Sequence, residues 1–140
     1  MMLMIPEVYA KAETGTDMRP DAKAVEAMMK YNEALAKAGV LLSLDGLHPP
    51  AAGVRIAFGG GAPKVSEGPF GPAKEMLGGY WLIDVKSKQE AVDWALRCPA
   101  ASGDIIEVRQ VFEMSDFPAD VQKAADNPAV RAQVERSGHA

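Results

Sequence analysis

Apolar residues follow two different periods along the chain, and the changes of period predict its order of elements. Four short runs have the apolar or alternating pattern of strands: 2–8, 40–44, 80–85 and 105–112. Between the first two runs, Val25, Met28 and Leu35 recur at helical spacing until Gly39 supplies a stop. A second helix begins at Ser87, where Ser-x-x-Glu is typical of a capping box, and it ends before Pro99.

An additional hairpin is expected between the second and third runs. Val54, Ile56 and Phe58 alternate with other residues, three glycines follow at 59–61, and a short segment at 64–66 returns. The complete order is strand, helix, strand, hairpin insert, strand, helix, strand. This split βαβ order predicts an α+β, ferredoxin-like domain with an antiparallel sheet and both helices on one face.

The sheet face without helices needs a cover of its own. The runs at 2–5 and 40–44 have large apolar residues at consecutive positions, so some of these side chains point away from the helices. The simplest cover is the same face of a second copy, which predicts a homodimer whose two sheets form a barrel. The alternative cover is the tail, where Asn127-Pro128 divides two short helices, and it would permit a monomer.

Length, charge and cysteine content exclude several classes of protein. The 140 residues suit one domain, and 19 acidic against 15 basic residues argue against a nucleic-acid partner. No apolar run approaches the roughly 20 residues of a membrane span. Cys98 is the single cysteine, so no disulfide within the chain and no thiol pair for zinc is expected. We expect a cytoplasmic protein with no metal and no cofactor.

Several short motifs resemble one family. Glu67-Gly68-Pro69-Phe70, then Lys74-Glu75, then Gly78-Gly79-Tyr80 resemble the motifs of the YCII-related family in its DGPF-domain branch. Trp94-Ala95 with Cys98-Pro99-Ala100, and Glu107-Val108-Arg109, are similar to the family's closing helix and last strand. The resemblance covers residues 1–112, which we take as the domain, and leaves 113–140 as a C-terminal helical extension.

The resemblance implies a dimeric α/β barrel of ferredoxin-like protomers, and it implies little about a reaction. Most members have no assigned activity. An Asp, sometimes with a His, has been proposed as catalytic in relatives, and some family genes neighbour those for alternative sigma factors. In this chain Glu67 stands where the family has Asp, and its side chain is one methylene longer.

Two side chains are candidates for proton transfer. His48 lies in a Leu-His-Pro-Pro bend, where it could act as a general acid or base, or be a surface histidine without a role. Glu67 leaves a strand at a Gly-Pro-Phe turn. Its carboxylate could face a cleft with Phe70 as the wall, where burial would raise its pKa, or it could serve only the turn.

A further group of polar residues is a candidate for ligand binding. If the alternation is in register, these side chains point to the face without helices: Arg55, Tyr80, Asp84, Glu107 and Arg109. They could bind a small anionic ligand, or they could pair with one another and only fix the dimer. The predicted substrate-binding set takes three of these residues and adds two from the Gly-Pro-Phe motif and its surroundings. Its members are Arg55, Phe70, Lys74, Tyr80 and Arg109.

Two functions therefore stay open. In the first, a cleft between the sheet and the insert binds a small polar or anionic organic molecule, and His48 with Glu67 performs proton transfer of the lyase or isomerase type. The alternative is a non-enzymatic regulatory or interaction protein, linked to a sigma-factor system. Whether the protein is an enzyme is left undecided at this point.

Overall fold

The computed structural model describes residues 1–11, 21–72 and 75–136. The chain forms two compact units, residues 1–109 and residues 110–140. The strands are β1 (Met2–Ile5), β2 (Leu41–Gly46), β3 (Val54–Ala57), β4 (Lys64–Glu67), β5 (Gly79–Ile83) and β6 (Ile105–Val108). The helices are α1 (Val8–Lys11), α2 (Ala22–Lys37), α3 (Lys88–Leu96), α4 (Ala119–Ala125) and α5 (Pro128–Arg136).

The first unit is an α+β structure built on an antiparallel sheet. Four strands form it in the order β2-β5-β1-β6, so the two strands that follow the hairpin insert flank β1. The insert is a separate two-stranded sheet of β3 and β4. The expected order of strands and helices is confirmed, and the insert does not join the main sheet.

The first strand is shorter than its apolar run suggests. Pro6 has no N–H for the ladder, so β1 ends at Ile5 and Val8 begins α1 instead of lying in the strand. The turn is closed by the Tyr9 amide, which donates to the Pro6 carbonyl at 3.2 Å. The prediction of a strand to residue 8 is therefore wrong at its end.

Both long helices begin and end where the sequence predicts. The Asp21 carboxylate accepts a bond from the Ala24 amide at 2.8 Å and caps α2, which stops before Gly39 at φ 72°. At α3, Ser87 Oγ accepts from the Glu90 amide at 3.1 Å. The other half of the capping box differs, because the Glu90 carboxylate accepts from the Lys86 amide.

The core lies between one face of the main sheet and the two long helices. Eight buried residues form it: Met2, Met4, Tyr31, Leu35, Trp81, Ile83, Ala91 and Trp94. Tyr31 meets Trp81 edge-on at 5.9 Å between ring centroids. Its hydroxyl donates to the Trp94 carbonyl at 2.9 Å, and the Trp81 indole N–H donates to Asn32 Oδ1 at 2.8 Å. These bonds tie α2 to α3 and to β5.

The second unit contains the two tail helices. Asn127 and Pro128 separate α4 from α5 as predicted, and Asn127 Oδ1 accepts from the Ala129 amide at the start of α5. Before α4, the rings of Phe112 and Phe117 pack with their centroids 5.1 Å apart. The described part of this segment contains two helices, and the C-terminal extension that begins at residue 113 stays a prediction.

Candidate functional site

The hairpin insert is fixed to its neighbouring loop at one end. The Gly68 amide donates to the Gly53 carbonyl at 2.9 Å, which continues the pairing beyond β3 and β4. A Cβ at Gly68 would lie 1.8 Å from the Pro50 carbonyl oxygen, so only glycine permits this approach. The loop that contains His48 therefore packs directly on the turn that follows Glu67.

Arg55 and Phe70 form a close side-chain contact in this region. The guanidinium carbon of Arg55 lies 4.7 Å from the centroid of the Phe70 ring. The ring is half-buried, and its edge packs so closely on the loop that a Cβ at Gly53 would be 3.6 Å from Cε2. Phe70 thus serves as a platform for Arg55.

The register of the hairpin separates Arg55 from Glu67. Arg55 pairs with Ser66, and Val54 pairs with Glu67. Since neighbouring residues of a strand point to opposite faces, Arg55 lies on one face of the hairpin and Glu67 on the other. The Glu67 side chain is exposed, so the expected burial of its carboxylate is not found.

His48 lies in the loop between β2 and the short helical turn Pro50–Ala52, and its side chain is exposed. The amide of the preceding residue, Leu47, donates to the Gly78 carbonyl at 2.9 Å and anchors this loop to the start of β5. Neither the His48 imidazole nor the Glu67 carboxylate makes a hydrogen bond or ion pair with another described residue.

A second polar group lies on the main sheet, on the face away from α2 and α3. The Tyr80 hydroxyl donates to Asp45 Oδ2 at 2.8 Å, across the pair that β5 and β2 form. At the end of β6, the Nε atom of Arg109, the residue after the strand, lies 3.7 Å from Glu107 Oε1, and both side chains are exposed. Tyr80 and Glu107 flank Leu3 of β1 in one row across the sheet.

Two predicted positions need correction. Arg55 does not share the face of Tyr80 and Arg109, because it belongs to the separate hairpin sheet. Asp84 lies beyond the end of β5, where its amide donates to the Val40 carbonyl, and its side chain is exposed. Lys74, the remaining member of the predicted binding set, lies outside the described residues.

Asp45 is a polar neighbour of this region that the sequence analysis missed. Asp45-Gly46 resembles the end of a strand, and only the pairing of β2 with β5 brings the carboxylate to Tyr80. The close approach of the two strands also depends on Gly79, where a Cβ would lie 2.8 Å from the Asp45 carbonyl oxygen. In the sequence, the neighbouring Gly78-Gly79-Tyr80 motif could have indicated this close contact between β2 and β5.

Two clear shifts of pKa lie in the core and its edge, away from these candidates. Burial, with the charge of Cys98 second, raises the pKa of Tyr31 to about 12. Burial, with the charge of Asp104 second, raises the pKa of the Cys98 thiol to about 11. Cys98 is half-buried and packs against the core, and a high pKa keeps its thiol protonated and weakly nucleophilic.

The described part of the chain contains no group of three His, Cys, Asp or Glu side chains that converge as metal ligands would. No helix among these residues has the length and apolar character needed to cross a membrane. A shallow concavity is formed by the hairpin loop itself, residues 57–64, and it contains none of the candidate side chains.

Comparison with known proteins places the chain in a family. The sequence profile of the YCII-related domain matches residues 1–115. The chain belongs to the YCII-related family. An uncharacterized protein of Rhizobium meliloti (strain 1021) is 36% identical over 91 residues, which is 65% of this chain and 68% of the relative. The YCII-related region therefore contains all the candidate residues discussed above.

Proposed function

We propose that this YCII-related protein belongs to the DGPF-domain branch and forms a homodimer of ferredoxin-like protomers in the cytoplasm. The strand order β2-β5-β1-β6, with both long helices on one face, supports the ferredoxin-like assignment. Apolar side chains on the other face support the dimer: Leu42 is 57% exposed and Ile105 is 48% exposed. Two such faces would cover each other by two-fold symmetry.

We further propose that the protein binds a small polar or anionic organic molecule beside the hairpin. The observation that carries this proposal is the packing of the His48 loop on the turn after Glu67, through Pro50 and Gly68. This packing brings the two segments that contain the exposed His48 and Glu67 side chains to one end of the hairpin. Arg55 lies at the same end and supplies a positive charge.

The reaction class that suits these groups is proton transfer of the lyase or isomerase type. His48 supplies an imidazole and Glu67 supplies a carboxylate, both on exposed side chains, and these are side-chain types that act as general acids and bases. Because Arg55 and Glu67 lie on opposite faces, a ligand that meets both must pass round an edge of the hairpin. In the proposed dimer, Tyr80 and Arg109 would face the space between the two main sheets.

Native mass spectrometry of gently purified protein tests both proposals in one experiment. We expect a dimer that retains a reproducible small molecule. His48→Ala and Glu67→Gln should each lose that molecule with the fold retained, while Glu26→Gln, on the exposed side of α2, should retain it.

Each contrary result has a definite meaning. A monomer at micromolar concentration contradicts the dimer. A dimer without any ligand contradicts the binding proposal and favours the alternative, a regulatory or interaction protein. A ligand that is retained equally by His48→Ala and Glu67→Gln contradicts the roles of these two side chains.

A further inference from the structure

The two faces of the β3–β4 hairpin differ in charge. The register pairs Arg55 with Ser66 and Ala57 with Lys64, so these four residues share one face. That face has two cations, two small side chains and no carboxylate. The opposite face is apolar apart from one acid, and its members are Val54, Ile56, Val65 and Glu67.

Arg55 lies over an aromatic ring and has no acidic partner in the described part of the chain. Its guanidinium carbon is 4.7 Å from the centroid of the Phe70 ring, and this contact restricts the long side chain before any ligand arrives. Among the described residues, no carboxylate lies within ion-pair distance of Arg55 or of Lys64. No carboxylate among those residues competes for the N–H groups of the guanidinium, which favours their binding of an anion.

A second stacked arginine in the chain provides a comparison. Arg97 lies 4.0 Å over the Trp94 ring, at the C-terminal end of α3. The last carbonyl groups of a helix attract positive charge, so the position of Arg97 is accounted for by its own helix. Arg55 lies on a hairpin, where no helix C-terminus attracts its positive charge. The position of this exposed charge is therefore not explained in the way that the position of Arg97 is.

We propose that the guanidinium of Arg55, supported by Phe70, binds the carboxylate of a small organic acid, with Lys64 adding to the attraction. A planar guanidinium matches a carboxylate through two parallel N–H···O bonds. The exposed part of the half-buried Phe70 ring, and the small side chains of Ala57 and Ser66, leave room for the carbon skeleton. This inference rests on the proposed function and specifies its ligand class.

NMR titration of the ¹⁵N-labelled protein with benzoate tests the inference, with inorganic phosphate as a second probe. We expect saturable shifts at the Arg55 Nε–Hε group and at the Gly53 and Gly68 amides. Benzoate should bind more tightly than phosphate, because phosphate has no apolar part to contact Phe70. Shifts scattered over the surface, or equal affinity for both probes, would overturn the proposed class.

Three variants sharpen the test. Arg55→Lys keeps the charge and loses the paired hydrogen bonds, so benzoate affinity should fall about ten-fold. Phe70→Leu removes the aromatic support and should weaken binding about three-fold. Arg97→Lys is the matched control and should bind like wild type; equal losses in Arg97→Lys and Arg55→Lys would overturn the proposal.

The outcome can be separated from that of the proposed function. If native mass spectrometry finds a retained ligand but benzoate does not bind at Arg55, the carboxylate site is wrong and the general binding function stands. If benzoate binds at Arg55 and no ligand or turnover is found, the anion site stands without the proton-transfer role. A thermal unfolding curve of Phe70→Leu shows whether its weaker binding reflects loss of fold.

Discussion

Replacement of Gly68 by alanine should release the hairpin from its neighbouring loop. The added Cβ would lie 1.8 Å from the Pro50 carbonyl oxygen and 2.8 Å from the carbonyl carbon. Contacts of real Cβ atoms essentially never fall below 3.0 Å, so the two segments must separate by about 1.2 Å. This shift strains or breaks the 2.9 Å bond from the Gly68 amide to the Gly53 carbonyl.

The expected cost follows from these two effects. Overpacking of this kind costs about 1–3 kcal/mol, and the loss of one hydrogen bond adds about 1 kcal/mol. Because β3 and β4 form their own sheet, the damage should be local. In Gly68→Ala, the amides of the hairpin should exchange with solvent faster, while those of β1 and β5 keep their protection.

Gly60→Ala is the matched control, because a Cβ at Gly60 meets nothing within 4 Å. Hydrogen exchange of this variant should equal that of wild type. If Gly68→Ala exchanges like Gly60→Ala at every hairpin amide, the contact with Pro50 does not hold the insert, and the argument that joins the His48 loop to the Glu67 turn is refuted.

Two further predictions concern the core. Asn32→Leu leaves the buried Trp81 indole N–H without its acceptor and should lower the free energy of unfolding by about 1–3 kcal/mol in urea denaturation, with a smaller loss in a Trp81→Phe background. An unchanged stability would contradict this account. Burial raises the pKa of Cys98 from 9.0 to about 11 and of Tyr31 from 10.0 to about 12, so the folded state holds both protons more tightly. The stabilisation that these two groups contribute should be fully present below pH 9 and should be lost between pH 9 and 12. Cys98→Ala should reduce this loss in the lower part of the range, and Tyr31→Phe should reduce it in the upper part. A constant stability across this range in wild type would refute the linkage.

Local chemistry explains which elements were predictable from the sequence. Asp21, Gly39 and Ser87 act through neighbouring backbone groups, so the starts of both long helices and the end of α2 were predictable. Pro6 carried the same kind of information, and the predicted first strand was too long because this signal was given less weight than the apolar run.

The candidate site was less predictable because its contacts depend on pairing between distant segments. Arg55 was predicted to point to the same face as Tyr80 and Arg109, since alternation along one strand does not tell which sheet that strand joins. The hydrogen bond between Asp45 and Tyr80 required the register of β2 against β5. The stacking of Arg55 on Phe70 required the turn at Gly68, whose tight packing no sequence period describes.

The hairpin is constrained at its base and free at its tip, and this asymmetry bears on how the protein can be varied. Added Cβ atoms at 59–61 meet no neighbours, and Phe58 is 83% exposed. Loop tips of this kind tolerate insertions at a small entropic cost, which grows only slowly with length. A peptide tag or a fluorophore could therefore be inserted there to report on the ligand site, and relatives could change the length of this loop without disturbing its base.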